Sequence, residues 1–168
     1  MRIPRFRSVS PDLTAHIHLI IFHSFFISTS DKGHNKHKVM RNMDEKTREW
    51  ITQAEFDIET AEFMFQGERY FYAVFMCHLS LEKALKGIYF TKLQDVPPKV
   101  HNLVYLISKT GVNPPEAMGK FFIKLNEANI ATRYPESLEK LQKTYTKTIT
   151  SEIISNTKEA LAWIKQQL

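Results

Sequence analysis

From Asp44 to the last residue, apolar side chains recur every three or four positions and show no useful run of strand-like alternation. That period buries only as packed helices. A first helix is expected over about 44–66, with Trp50, Ile51, Ala54, Ile58, Ala61 and Phe65 on one stripe and Gly67 as its stop. A second is expected over about 69–93, with Val74, Cys77, Leu81, Leu85 and Ile88 facing inward. Val96-Pro97-Pro98 ends it, because proline lacks an amide hydrogen and disfavours helix in its predecessor. A short helix follows over 101–110, stopped by Gly111. Pro114-Pro115 then opens a fourth, reaching about residue 130, since proline is tolerated in a first turn. Arg133-Tyr134-Pro135 breaks the chain before a last helix over about 140–167, with Ile149, Ile153, Leu161, Ile164 and Leu168 on its apolar side. The fold class is all-α, an up-and-down bundle of four long helices plus one short helix.

The first 42 residues keep no such period. Their apolar run, Leu19-Ile20-Ile21-Phe22 to Phe25-Phe26-Ile27, is broken by His23 and Ser24. It falls well short of the roughly 20 apolar residues that cross a bilayer. Arg2, Arg5 and Arg7 ahead of it, and Ser28-Thr29-Ser30 after it, give it the outline of a poor signal peptide. Translation starting at Met40 or Met43 is another reading, since Met43-Asp44-Glu45 leads into a helix with acids in its first turn. The favoured division is a disordered or extraneous leader over 1–42, for which a mis-assigned start is one explanation, and one helical domain over 43–168.

Charge follows the same division. Of 23 Lys/Arg and 18 Asp/Glu, seven and two fall in residues 1–42, which leaves 16 of each in the body. The net charge of +5 therefore belongs to the leader, and a neutral body makes no general case for binding a polyanion. A chain with one cysteine has no internal disulfide, and Cys77 reads as an inert core thiol in a reducing, cytoplasmic compartment. No zinc-type Cys/His spacing, glycine-rich phosphate loop or HExxH stretch is present. No metal or cofactor is expected.

Three polar blocks interrupt the apolar pattern. His78, Glu82 and Lys86 are four apart and share one helix face, with Phe71, Phe75, Leu79 and Tyr89 beside them. An ordinary surface ion pair is the plain reading of Glu82 and Lys86; the aromatic company points instead to a pocket or a subunit interface. His101-Asn102-Leu103 starts a helix: either His101 or Asn102 caps it, or His101 lines the site of Glu82 and Lys86. Arg133 with Tyr134 is the most suggestive block: a guanidinium fork matches phosphate, and a tyrosine ring stacks on a base. The alternative is that Arg133 braces its loop through Glu82, Glu127 or Glu136.

These blocks resemble the HEPN domains. The resemblance spans about residue 44 to the C-terminus and rests on Ala54, Asp57 and Ala61, Gly67-Glu68-Arg69-Tyr70 with Ala73, and Cys77-His78. It continues through Glu82-Lys83-Ala84-Leu85-Lys86, His101-Asn102-Leu103 and Thr132-Arg133-Tyr134-Pro135. It implies a helical bundle that commonly forms homodimers, often encoded beside a minimal nucleotidyltransferase in toxin–antitoxin or related systems. Some branches are metal-independent ribonucleases with an arginine and, four to six residues downstream, a histidine; after Arg133 this chain reads Tyr134 to Leu141 without one. It thus looks like a branch with an Arg-Tyr-Pro motif in place of that pair.

The resulting expectation is a non-catalytic nucleotide-binding and interaction module, acting with a nucleotidyltransferase partner and away from membranes. Arg133, Tyr134 and Lys86 would hold the nucleotide or phosphate, and Glu82, His78 and His101 would orient them. The alternative is a divergent metal-independent ribonuclease acting on RNA, with Arg133 and a histidine from elsewhere, His101 foremost, as catalytic candidates.

Overall fold

The computed structural model describes residues 43–134 and 136–168. The expectations for residues 1–42 lie outside the described residues. Six helices, and no strand, are found among those described: α1 (Glu45–Gln66), α2 (Tyr70–Leu93), α3 (Leu103–Thr110), α4 (Glu116–Arg133), α5 (Leu138–Thr144) and α6 (Lys147–Lys165). α1, α2, α4 and α6 are the four long ones.

α1 begins where Asp44 caps it, its carboxylate accepting from the Lys46 amide at 2.8 Å. Ile51, Ala54, Ile58 and Ala61 bury one stripe, while Trp50 and Phe65 lie at its half-buried edge. The chain turns at Gly67 and returns as α2, packed along α1. Small residues let the two backbones approach. The Ser80 hydroxyl donates to the Ala54 carbonyl at 2.8 Å. At Gly87 an added Cβ would stand 3.4 Å from the Trp50 Cβ.

α2 is the centre of the bundle, since each of the other five helices packs on it. A helix wrapped in this way must be apolar around most of its circumference. Val74, Cys77, Leu81, Leu85 and Ile88 are fully buried, as their spacing predicts. The consequence for function is direct: the polar face carrying His78, Glu82 and Lys86 is enclosed among neighbouring helices.

Two boundaries differ from expectation. Helix α4 runs on to Arg133, so this arginine sits in a last helical turn, where a cation complements the helix dipole, rather than on a loop edge. The single last helix is two. α5 ends at Tyr145, whose side chain is buried, and α6 starts afresh where the Thr146 hydroxyl accepts from the Ile149 amide at 3.4 Å. On α6, Ile154, Leu161 and Ile164 take the core positions, and Ile149 is left 43% exposed. The bundle therefore has four long helices and two short ones.

Candidate functional site

The site grows from one buried carboxylate. Glu82, 4% exposed in mid-α2, spends both oxygens. Oε1 accepts from Lys86 Nζ at 2.7 Å, one turn along the same helix. Oε2 pairs with His101 Nδ1 at 2.9 Å, just ahead of α3. Burial pushes the Glu82 carboxyl up, but the bonds and charges of Lys86 and His101 outweigh it and hold the group below the ordinary carboxylate value. Lys86 is itself buried, with its ammonium 5.9 Å from the Trp50 ring centroid on α1, within cation–π range.

His101 arrives there by local folding. α2 ends at Leu93 with Gln94 in the left-handed conformation, Pro97 and Pro98 lie in the connection that follows, and Asn102 caps α3 by accepting from the Tyr105 amide at 2.9 Å. Asn126 on α4 accepts from the Leu103 amide at 3.0 Å and ties the start of α3 to α4. Asn102 is thus the cap, and His101 is released to bond Glu82. A carboxylate only accepts, so His101 Nδ1 is the donor in this pair, on a side chain 52% exposed.

His78 lies one turn before Glu82, wholly buried, with Nδ1 3.8 Å from Glu82 Oε2, too far for a hydrogen bond. Neither ring nitrogen makes a well-formed hydrogen bond among the described residues, although the His101 backbone lies close enough to favour the protonated ring. Burial pushes its pKa down to about 4; the Glu82 charge opposes this, and the Arg133 and His101 charges add to it. His78 is therefore neutral at physiological pH, within electrostatic reach of all three.

Arg133 closes the arrangement from α4. Its guanidinium stands 5.4 Å from the centroid of the Phe75 ring, and Phe75 lies one turn before His78. No carboxylate pairs with it among the described residues: Glu82 is occupied by Lys86 and His101, and Glu136 is paired with Lys140 at 2.5 Å. Its Nε is buried with no hydrogen-bond partner. Tyr134, next in the chain, is 79% exposed at the end of α4. The fold thus brings His78, Glu82, Lys86, His101 and Arg133 to one seam of α2, α3 and α4, and leaves the Tyr134 ring in solvent.

Two contributors were not anticipated. Trp50 reads in the sequence as one more core aromatic, yet it carries Lys86. Asn129, 5% exposed on α4 one turn before Arg133, has a buried Oδ1 with no partner among the described residues. Its signal was available: Asn126, Asn129 and Arg133 sit at helical spacing on a face otherwise made of Phe122 and Leu125. Asp57 of α1 pairs with Lys83 of α2 at 2.7 Å. Burial raises the Asp57 pKa despite that partner.

Burial also pushes the Cys77 thiol up to about 12, which leaves it unreactive. No group of three His, Cys, Asp or Glu side chains among the described residues could hold a metal ion. No helix among them is long and apolar enough to cross a membrane.

The sequence model of the HEPN domain matches residues 47–167, and the chain belongs to that family. Two solved structures share the architecture. TT1696 from Thermus thermophilus is 21% identical at a TM-score of 0.65, over 74% of this chain and 100% of that one. ST0689, described as an archaeal HEPN homologue, is 26% identical at a TM-score of 0.60, over 74% of this chain and 98% of that one. No curated protein matches the chain.

Proposed function

We propose that this HEPN domain is a non-catalytic module that binds a nucleotide or another phosphate-bearing group at Arg133 and acts with a minimal nucleotidyltransferase, as a homodimer, in a toxin–antitoxin-like or regulatory system. One observation carries the binding role: a partly buried guanidinium with an unpartnered Nε and no ion pair to a carboxylate among the described residues. A buried charge is costly unless something of opposite sign completes it, and a phosphate offers oxygens in the geometry of the guanidinium fork. The neutral His78 beside it adds no competing positive charge. Lys86 and His101, held by Glu82, form a fixed wall, and the exposed Tyr134 ring is free to stack on a base.

Calorimetric titration of ATP, GTP and a short RNA into the full chain, beside Arg133→Ala, tests this. Saturable binding is expected, and the variant should lose it while its thermal midpoint stays close to that of the parent. What the substitution removes from the fold is a cation–π contact worth about 0.5–1 kcal/mol. An Arg133→Ala protein that unfolds would instead make Arg133 a structural brace.

The ribonuclease reading has one observation in its favour. The Glu82–His101 pair holds an imidazole with Nε2 turned away from the carboxylate, as a general base requires. Metal-independent RNA cleavage lost in both Arg133→Ala and His101→Ala would establish it. No cleavage at high protein concentration would exclude it.

A further inference from the structure

His78 and Arg133 leave the seam of α2 and α4 short of one proton and one anion, and the two shortages are linked. A neutral imidazole offers a single N–H and one acceptor nitrogen. The groups around the His78 ring are acceptors. Glu82 Oε2 stands 3.8 Å from Nδ1, and the His101 backbone also favours the protonated ring, as an acceptor does. On the buried face of α4, one turn before Arg133, Asn129 Oδ1 is a further acceptor without a partner among the described residues. An imidazolium, with two N–H groups, suits such surroundings better than the neutral ring they contain.

Burial is the largest effect that keeps the ring neutral, and the charges of Arg133 and His101 add to it against the opposing charge of Glu82. These groups reach His78 from three elements: Glu82 from α2, His101 from just ahead of α3, and Arg133 from the end of α4. Glu82 is already paired, with Lys86 and with His101. Arg133 differs, since it makes no ion pair among the described residues and its buried Nε has no partner. An anion seated on that guanidinium offsets its charge as felt at His78 and brings a negative charge of its own nearby. Both changes favour the imidazolium.

We infer that an anion bound at Arg133 draws a proton onto His78, so that anion binding and protonation of this buried ring strengthen each other. In the bound state the imidazolium donates toward Glu82 Oε2 and the His101 backbone, and Arg133 Nε–H donates to the anion. The coupling is reciprocal: an anion that raises the His78 pKa by one unit binds the protonated protein tenfold tighter than the neutral one. Affinity therefore rises as pH falls through the bound-state pKa of His78 and levels off below its free-state value. The coupling rests on the reading of Arg133 as an anion site, and adds to it a control of that site by pH.

The test is an NMR titration of the His78 ring in the full isotope-labelled chain, with and without sulfate, from about pH 7 to about pH 4.5. Sulfate is the probe because it stays fully ionised over that range and brings no titration of its own. The Phe75 amide, beside the Arg133 guanidinium, reports whether sulfate has arrived. Saturating sulfate should raise the His78 pKa by about one unit, and sulfate should bind several-fold tighter at the acid end of the range. Arg133→Ala should raise the His78 pKa without sulfate and abolish the effect of adding it. A His78 pKa that stays put while the Phe75 shift saturates would overturn the coupling and leave Arg133 an anion site. A rise that persists undiminished in Arg133→Ala would overturn it too, as a general effect of salt. No saturable shift at Phe75 would overturn the Arg133 reading itself, and the coupling with it.

Discussion

His78 is the side chain through which acid should first weaken this fold. Its pKa is about 4 in the folded chain against 6.5 for a free histidine, so between those values the unfolded chain binds the proton that the folded chain refuses. Stability therefore rises with pH across that window and is lost as pH falls from 6.5 toward 4. A shift of that size corresponds to roughly 3 kcal/mol. Glu82 acts in the same direction lower down, since its depressed pKa contributes stability above the unfolded carboxyl value that is lost on protonation. Urea denaturation of the parent and of His78→Gln through this window should show a steep loss in the parent and a flatter profile in the variant. Matching profiles would mean that His78 is not buried in its neutral form. Truncating Glu82 belongs to another class. Glu82→Ala leaves the buried Lys86 ammonium without its counter-charge, for which about 3–5 kcal/mol of lost stability is expected, seen as a lowered thermal midpoint.

At the scale of elements, the bundle depends on how closely α1 and α2 meet. Gly87 lies at that contact in mid-helix, where glycine costs about 1 kcal/mol relative to alanine. The Cβ of an alanine there would meet Trp50 Cβ at 3.4 Å and Ile51 Cδ1 at 3.6 Å, which is ordinary contact. Gly87→Ala should thus raise stability by about 0.5–1 kcal/mol, whereas Gly87→Leu should force the helices apart and lower the thermal midpoint. The same elements show what the sequence makes legible. The stripes of α1 and α2 and the stop at Gly67 could be read because period and punctuation agree, whereas α2 ends at Leu93 through a left-handed Gln94, ahead of the prolines. The break between α5 and α6 could not, since Tyr145-Thr146 contains neither glycine nor proline, and burial of the Tyr145 ring is a tertiary effect. At the site, the four-residue spacing of His78, Glu82 and Lys86 announces one face. That His101 and Arg133 converge on that face, with Trp50 beneath Lys86, depends on how α1, α3 and α4 pack around α2, which no local pattern encodes.

For the molecule as a whole, charge decides how any nucleic acid would be held. Residues 43–168 carry 16 basic and 16 acidic side chains, so the folded body offers no long-range attraction to a polyanion. Within the described cluster, Lys86 is neutralised by Glu82, which leaves Arg133 as the cation without a counter-charge. Counterion release makes the logarithm of affinity for a single strand fall with the logarithm of salt at about 0.7 per phosphate neutralised. A short RNA bound through Arg133 alone should therefore show a slope of about −0.7, and ATP should bind with similarly weak salt dependence. Residues 1–42 hold seven Lys/Arg against two acids. If that segment carries the RNA instead, the full chain should show a slope of roughly −3 or steeper, and Arg133→Ala should leave it unchanged. Affinity measured across a salt series for the parent and for Arg133→Ala separates the two: a shallow slope abolished with the arginine assigns recognition to the helical body, and a steep slope indifferent to it assigns recognition to the basic N-terminal segment.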